Sequence, residues 1–251
     1  MALLRKRFLF LDVNEYWYTY KEGLSNWITL TACCHMKMPF RNSGLMKESR
    51  SWTIENDLTL SEEEILAGYS KSLRQQIRQA REGGVIIIFE KEINEFVTFF
   101  NDFAERHNLN PTSKRRLEEL GEDCLISYAV YEGQKLSAHS YLVDRPNKIV
   151  RSWQSASGRS IEGADKTLVG KANKLLHHED MKYFGSQGFE IWLRQELFAF
   201  DFYIMLKSNS GIFIGTCSPG LAILDDFTKY FSAFHCRRRV VDADFGKTYR
   251  L

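Results

Sequence analysis

The sequence predicts an α/β (α+β) protein with a mixed, twisted sheet and flanking helices. Residues 148–192 predict a strand, a polar loop, a long helix and a second strand, in that order. A strand–helix–strand unit of this length joins two parallel strands through a right-handed crossover. Strands predicted over 124–131, 135–144 and 148–157 follow one another through short turns, which is typical of antiparallel neighbours. A single sheet with both kinds of pairing satisfies both observations.

Composition excludes several classes of protein. The 251 residues are 44% hydrophobic, which is enough for a large core, and the net charge of +2 does not by itself indicate a nucleic-acid binder. No apolar run approaches the roughly 20 residues of a transmembrane helix, and the N-terminus is a poor signal peptide. The five cysteines lack C-x-x-C spacing. We therefore expect a reduced, cytoplasmic protein without a metal site.

Residues 1–84 predict a strand-rich N-terminal lobe that ends in a basic helix. The lobe contains predicted strands over 8–13, 16–20, 26–34 and 51–60, and a predicted loop over 41–50. A capping box at residues 61–64 begins a helix over 61–82, which the glycines at 83 and 84 end.

The two faces of this helix differ in charge. The apolar face consists of Ile65, Tyr69, Leu73, Ile77 and Ala80, and the opposite face carries Lys71, Arg74, Arg78 and Arg81. We call these four cations the basic stripe. It is either a solvated surface or a contact for phosphate groups of an acyl donor or of RNA.

The second part of the chain, residues 85–251, predicts the remaining elements in order. They are a buried-type strand over 85–89, helices over 92–107 and 112–120, the three antiparallel strands, the loop over 158–164, a helix over 165–187 and a strand over 189–192. Thr112 or Ser113 is expected to cap the second of these helices. Further on, an apolar stretch over 198–206, a strand over 212–216 and a helix over 220–231 are predicted.

The loop before the long helix predicts an anion site. The first N–H groups of a helix are free and carry partial positive charge, so they attract anions. Glycines and a cation accompany them here, together with two residues suited to cap the helix: Gly158, Arg159, Ser160, Gly163, Asp165 and Thr167.

Two sets of titratable side chains are candidates for proton transfer. On a helical wheel Glu179 lies in the middle of the apolar face of the long helix, with Asp180 at its edge and His178 on the polar side. Glu179 is therefore either a general base or a helix-packing residue held in an ion pair. His139 and Tyr141 share one face of their strand, where His139 is either a structural residue or a proton-transfer group.

The order of elements from residue 85 is that of the GNAT acyltransferase fold, and residues 57–191 resemble the Fem-type branch of GNAT-like N-acyltransferases. The matching stretches are residues 57–66, residues 69–80 with Gly84 and Val85, residues 138–142, residues 151–157 and residues 168–184. The resemblance implies a GNAT domain over 85–251, preceded by a partial GNAT-like lobe over 1–84.

The resemblance also implies an activity. Such enzymes move an acyl or aminoacyl group by direct transfer from acetyl-CoA, another acyl-CoA or an aminoacyl-tRNA to an amine, which belongs to a small molecule or a cell-wall (peptidoglycan) precursor. The basic stripe could serve a tRNA donor. The donor of a GNAT enzyme is expected on Ser155, Ser157, Gly158, Arg159, Gly163 and Thr167.

Chemistry then requires a base, oxyanion donors and an acid. Glu179 is the first candidate base and His139 the second. Tyr183 or Tyr141 is the candidate acid, and the backbone N–H groups near Ser155 to Ser157 are the candidate oxyanion donors.

The sequence departs from the family pattern in two places. The loop over 159–164 is one residue longer than the usual phosphate loop. Residues 192–198, directly after Ile191, contain no glycine, whereas relatives have a glycine-containing turn there. We interpret residues 192–216 as locally divergent or altered in reading frame. The alternative to an enzyme is accordingly a non-catalytic GNAT-like protein that binds a ligand or RNA.

Overall fold

The computed structural model describes residues 54–193 and, outside this range, only short strands. These strands cover residues 2–8, 11–17, 29–34, 202–207, 214–217, 239–241 and 248–250. The predicted loop over 41–50 and the predicted helix over 220–231 lie outside the described residues, as does most of the segment interpreted as divergent.

The described elements run in chain order as follows. The strands are β1 (Ala2–Phe8), β2 (Leu11–Trp17), β3 (Thr29–Cys34), β4 (Ile54–Asp57), β5 (Ile86–Phe89), β6 (Cys124–Tyr131), β7 (Gln134–Asp144), β8 (Ile149–Ser157), β9 (Ile191–Leu193), β10 (Phe202–Lys207), β11 (Ile214–Cys217), β12 (Arg239–Val241) and β13 (Thr248–Arg250). The helices are α1 (Glu62–Ala67), α2 (Lys71–Glu82), α3 (Ile93–Arg106), α4 (Lys114–Glu119) and α5 (Lys166–Ser186).

The chain divides into two compact units. The first contains a five-stranded sheet of order β1-β2-β3-β10-β11, in which only β2 and β3 are parallel, and the antiparallel pair β12-β13. The predicted strand over 8–13 is wrong, because Phe8 pairs with Leu11 and the chain reverses between them. No glycine or proline marks this turn in the sequence.

The second unit contains the six-stranded mixed sheet β4-β9-β8-β7-β6-β5 and all five helices. Its neighbours are antiparallel except for β8 and β9, which pair in parallel from Ile149↔Ile191 to Arg151↔Leu193. The predicted mixed sheet and crossover helix are thus present. The helices over 62–82 belong to this unit, whereas the sequence assigned them to the N-terminal lobe.

The predicted apolar face of the basic helix is confirmed, but the prediction of one continuous helix over 61–82 is wrong. All five predicted apolar residues are buried. The helix nevertheless breaks at Gly68, because the Ser70 side chain accepts the N–H of Leu73 and so caps a second helix. This break directs the Tyr69 hydroxyl toward α5, where it contacts Met181.

Helix α5 lies between α2 and the sheet and is buried on several sides. Its bounds agree with the prediction, and Asp165 caps it. Near its end, a Cβ atom on Gly185 would lie 2.8 Å from the carbonyl oxygen of Leu58. Glycine here permits the close approach of α5 to the chain that precedes α1.

Strand β5 is an edge strand of the six-stranded sheet and is not buried as predicted. It pairs only with β6 in the described part of the chain, and Ile86 is 58% exposed. The isoleucine run in β5 indicated burial, but the position of a strand in a sheet depends on long-range pairing. No helix in the described residues has the length and apolar character needed to cross a membrane.

Candidate active site

A buried polar cluster joins β7 to α5. The His139 Nδ1 atom lies 2.9 Å from Asp180 Oδ2 and 3.1 Å from the Tyr141 hydroxyl. The Tyr141 hydroxyl donates a hydrogen bond to the same Asp180 oxygen. On the other side of the ring, His139 Nε2 lies 3.0 Å from Asn173 Oδ1. His139, Tyr141 and Asp180 are each at most 1% exposed.

Strand and helix periodicity bring these residues together. Alternation in β7 directs His139 and Tyr141 to the face that α5 covers. In α5 the cluster residues recur at i, i+4 and i+7, namely Asn173, His177 and Asp180, which is one face of a helix. The His177 ring completes the cluster, because its centroid lies 4.2 Å from that of His139.

The charge of Asp180 is weakly compensated. Its side chain is fully buried, and Oδ1 has no hydrogen-bond partner among the described residues. No lysine or arginine of the described region forms a salt bridge with it, so its one ion-pair partner there is His139. With a proton on Nδ1, His139 donates to Asp180, and Nε2 carries the lone pair unless the ring is doubly protonated. In that tautomer the Asn173 amide must turn its N–H₂ group toward Nε2.

The predicted position of Glu179 in the middle of the buried face is wrong. Its carboxylate is 23% exposed and pairs with Arg81 and, at 3.4 Å, with Lys182. Conversely, His178, predicted on the polar side, is fully buried. Helix α2 covers the side of α5 that a two-sided wheel assigns to solvent, so α5 has two buried faces.

On the α2 side of α5, His178 belongs to an ion network. Its Nε2 lies 3.2 Å from Glu62 Oε1 and its Nδ1 lies 3.4 Å from the Tyr69 hydroxyl. Lys182 pairs with the other Glu62 oxygen at 3.0 Å, and Arg81 lies 3.6 Å from Glu62. Burial lowers the pKa of His178, and the hydrogen bond with Glu62 opposes this effect only in part.

Tyr183, a predicted acid, lies apart from the polar cluster. It is half-buried and stacks on Phe89 with ring centroids 3.8 Å apart. Tyr141, the other predicted acid, is in the cluster and is hydrogen-bonded to Asp180.

The predicted anion loop is adjacent to the cluster in the sheet, because Ser155 of β8 is the register partner of His139. Beyond it, the Ser157 hydroxyl accepts the N–H of Arg159, and Gly158 packs against the β7 backbone. Asp165 accepts the N–H groups of Thr167 and Leu168 at 2.9 and 3.0 Å. The helix N-terminus therefore already holds a carboxylate on two of its donors, while Arg159 and Gly163 are exposed.

The four cations of the basic stripe have two different environments in the structure. Lys71, Arg74 and Arg78 are exposed and line a surface depression together with Gln75. Arg81 instead belongs to the ion network with Glu62 and Glu179. Acidic partners of Arg81 come from α1 and α5, so helical spacing within α2 could not predict them.

Cysteine chemistry is not supported in the core of this unit. Cys124 is fully buried at the start of β6, and burial raises the pKa of its thiol to about 12. A thiol with this pKa is protonated at neutral pH and does not act as a nucleophile.

The sequence predicts His139 and Tyr141 as site residues but does not single out the α5 residues of the cluster. It puts Asp180 at the edge of the apolar face and gives no role to Asn173 or His177. The signal that could have found them is the polar spacing 173, 177 and 180 on one side of the predicted helix.

Comparison with known proteins places the fold. No protein-family model matches the sequence, and no curated protein matches it. Among solved structures, FemX matches with a TM-score of 0.58 over 100% of this chain and 84% of FemX, at 11% identity. L-PGS from Bacillus licheniformis gives a TM-score of 0.49 at 9% identity, over 77% of this chain and 67% of that chain.

A further match is the C-terminal domain of a putative lysylphosphatidylglycerol synthetase from Agrobacterium fabrum. Its TM-score is 0.48 at 12% identity, over 76% of this chain and 65% of that chain. The likeness to FemX shows the fold: the chain folds as FemX does, with the mixed sheet and flanking helices that the sequence predicts.

Proposed function

We propose that the protein is an N-acyltransferase that moves an acyl or aminoacyl group directly to an amine, with His139 as the general base. The observation that carries this proposal is the buried His139–Asp180 pair, which lies in a fold like that of FemX, with His139 directly opposite Ser155 in the sheet. The acceptor is an amine-bearing small molecule or cell-wall precursor.

The geometry supports a proton route through His139. Asp180 accepts the Nδ1 proton and Tyr141 donates to Asp180, so the ring is held with Nε2 as the acceptor atom. Nε2 takes the proton as the amine attacks the donor carbonyl, and the Asp180 carboxylate stabilises the imidazolium that forms. The same proton then passes to the departing thiolate or alkoxide, which balances the transfer without a second acid. Tyr141 is then a positioning residue, and this route does not use Tyr183, the other acid that the sequence predicts.

Two features favour His139 over Glu179 as the base. Both Glu179 oxygens are engaged, Oε1 by Arg81 and Oε2 by Lys182, so an acceptor amine has to displace a cation. Among the described residues, the hydrogen-bond partner of His139 Nε2 is the amide of Asn173, which lies in a partly exposed position of α5. A neutral amide is the easier group to displace.

The donor we favour is an aminoacyl-tRNA. The exposed cations Lys71, Arg74 and Arg78 form a contact for a phosphate backbone, and Gln75 lies among them. For an acyl-CoA such as acetyl-CoA, the pyrophosphate would contact the loop from Ser157 to Thr167, where Arg159 attracts it. There, however, the carboxylate of Asp165 holds two of the backbone donors.

Ligand-induced stabilisation tests the donor. The full chain is melted by tryptophan fluorescence, to which RNA contributes nothing, with aminoacyl-tRNA, deacylated tRNA, acetyl-CoA or free CoA. A ligand at a hundred times its dissociation constant adds about 2.7 kcal/mol, which raises Tm by about 5–10 °C for a chain of this size. We expect this shift with tRNA, and a shift with acetyl-CoA alone would contradict the choice of donor.

The basic stripe gives a matched pair of variants. Arg74→Glu/Arg78→Glu should weaken tRNA binding at low salt by more than tenfold, because about two phosphate contacts are lost. The control Arg106→Glu/Arg115→Glu changes the charge by the same amount on α3 and α4, and should leave binding nearly unchanged. Equal weakening by both pairs would show that net charge, and not the stripe, holds the RNA.

Transfer itself is measured with a labelled aminoacyl group and a mixture of amines, with new amides identified by mass spectrometry. Formation of an amide that disappears in His139→Gln supports the proposal. A second candidate, an RNA-binding protein without turnover, is favoured by the same exposed cations. Tight tRNA binding without any amide product from the wild-type protein would select it.

A further inference from the structure

We propose that the buried cluster between β7 and α5 binds a divalent transition-metal ion through His139, His177 and Asp180. One ligand atom from each of these residues lies within 4.8 Å of the others. His139 comes from the sheet, whereas His177 and Asp180 come from α5 at a helical spacing of three residues. The site is therefore built across the central packing interface of the second unit.

The geometry is close to that of a bound metal. A tetrahedral ion with bonds of about 2.1 Å places its ligand atoms about 3.4 Å apart. The widest pair here must therefore approach by at most about 1.4 Å. Rotation of the partly exposed His177 side chain can supply this movement, while the fully buried Asp180 stays in place.

The hydrogen bonds of Asp180 leave one oxygen for the ion. Tyr141 and His139 both contact Oδ2, and Oδ1 has no hydrogen-bond partner in the described part of the chain. A fully buried carboxylate oxygen without a partner is costly, and a coordinated cation removes this cost. The Tyr141 hydroxyl then remains on Oδ2 and orients the ligating carboxylate, as outer partners of metal ligands do.

The charge of Asp180 also favours a bound metal ion. Asp180 has no lysine or arginine salt bridge within the described range, and its one ion-pair partner, His139, compensates it only when doubly protonated. A divalent ion supplies this charge without that extra proton. Binding through His139 Nδ1 replaces the hydrogen bond with Asp180, and the ring proton moves from Nδ1 to Nε2, so the imidazole stays neutral. The Oδ1 atom of Asn173, 3.0 Å from Nε2, accepts that proton in a hydrogen bond on the far side of the ring.

The donor set selects the class of metal. Two imidazole nitrogens and one carboxylate suit Zn²⁺, Fe²⁺ or Co²⁺ and do not suit Mg²⁺ or Ca²⁺, which prefer oxygen ligands. With three protein ligands, a tetrahedral ion keeps one position open for water or another small donor. This inference does not rest on the proposed transfer reaction, and its test reads metal content directly. An ion on Nδ1 leaves the proton of His139 on Nε2, so the metal-bound state and the general-base state of His139 are alternatives.

The experiment is a titration of metal-stripped full-length protein with Zn²⁺ by calorimetry and with Co²⁺ by visible absorption. The same protein is titrated in parallel with Fe²⁺ under anaerobic conditions and with Mg²⁺. We expect one Zn²⁺ or Co²⁺ per chain that is lost in His177→Ala and in Asp180→Asn. The matched control His107→Ala removes an exposed histidine of the same unit and should retain this equivalent. Tyr141→Phe keeps all three ligands and should weaken binding by about 10–100-fold.

Melting curves separate loss of the site from loss of the fold. A His177→Ala protein that melts cooperatively, as the wild type does, and still binds Zn²⁺ with the same stoichiometry and affinity would overturn the proposal. The absence of saturable Zn²⁺, Co²⁺ and Fe²⁺ binding by the wild type would also overturn it. Because no donor or acceptor is present in these titrations, a failed transfer assay leaves this result unaffected, and the converse also holds.

Discussion

Helix α5 carries two histidine clusters on opposite sides, and they differ in how charge is balanced. Toward α1 and α2, His178 lies in a network of Glu62, Arg81, Glu179 and Lys182, where each carboxylate has at least two cationic partners. Toward the sheet, Asp180 has His139 as its ion-pair partner, and its Oδ1 atom accepts no hydrogen bond from any residue that the structure describes. Four consecutive residues of α5, 177–180, contribute side chains to both clusters.

The difference separates a packing role from a chemical role. A network with balanced charges and partial exposure stabilises the contact between helices and contributes modestly to stability. An under-compensated carboxylate in the interior is costly for the fold, and such groups concentrate at sites that bind or react. This difference is the reason why we propose the active site on the side of α5 that faces the sheet.

The largest expected effect concerns the rate of amide formation in variants on the two sides of α5. His139→Gln should reduce amide formation by about 10²–10⁴-fold, because a general base is lost. Glu179→Gln should reduce it by less than about fivefold, the factor that corresponds to the roughly 1 kcal/mol of a partly exposed ion pair. Steady-state rates of transfer under identical conditions measure both. A Glu179→Gln protein as impaired as His139→Gln would reverse the assignment of the two sides.

The second effect concerns the position of α5, on which both clusters depend. Gly185→Ala places a Cβ atom 2.8 Å from the carbonyl oxygen of Leu58, so one of the two backbones must shift. Overpacking of this kind costs about 1–3 kcal/mol, and the better helix propensity of alanine returns about 1 kcal/mol.

We expect a net loss of stability and a Tm lower by up to about 8 °C in thermal unfolding. Ser186→Ala, at the next position and exposed, is the control and should stay within about 0.5 kcal/mol of the wild type. An unchanged Tm in Gly185→Ala would mean that α5 adjusts freely and does not hold the clusters in place.

The third effect concerns how much the ion network around Arg81 contributes to stability. Arg81 is 49% exposed and pairs with Glu62 and Glu179, so Arg81→Ala should destabilise the protein by about 0.5–1 kcal/mol. The difference from the wild type should shrink in 1 M salt, where charges are screened beyond about 3 Å. Urea unfolding at low and high salt measures it, and a difference that does not change with salt would indicate lost packing instead.

The smallest effect is a pH dependence on the side of His178. Burial holds the pKa of His178 below its ordinary value of 6.5, so the unfolded chain binds this proton more tightly than the folded chain. This contribution to stability is complete above about pH 6.5 and is lost as pH falls through the folded pKa.

Glu62 acts in the same direction at lower pH. Burial raises its pKa, but hydrogen bonds from Lys182 and His178 outweigh burial and leave it below 4.5.

The variant His178→Gln lacks the contribution of His178 that is lost below pH 6.5. Between pH 7.5 and pH 5.5 its Tm should therefore fall by less than the Tm of the wild type. Equal losses in the two proteins would show that His178 protonation is not coupled to folding.

The sequence by itself determined the order of elements in residues 85–193 and the bounds of most of them. Local signals suffice there: Asp165 caps α5, and Glu132 and Gly133, both with positive φ, form the turn between β6 and β7. Strand alternation also predicts that His139 and Tyr141 share a face. These features depend on residues a few positions apart, so the local sequence is sufficient to specify them.

Only the tertiary structure decided which side chains meet. The break at Gly68 and the cover that α2 places on α5 turned His178 inward and left Glu179 at the surface with Arg81. The contact of His139 with Asp180 joins residues 41 positions apart, and no local pattern specifies it. Burial on a second face of a helix depends on what packs against it, and that partner is chosen by the fold as a whole.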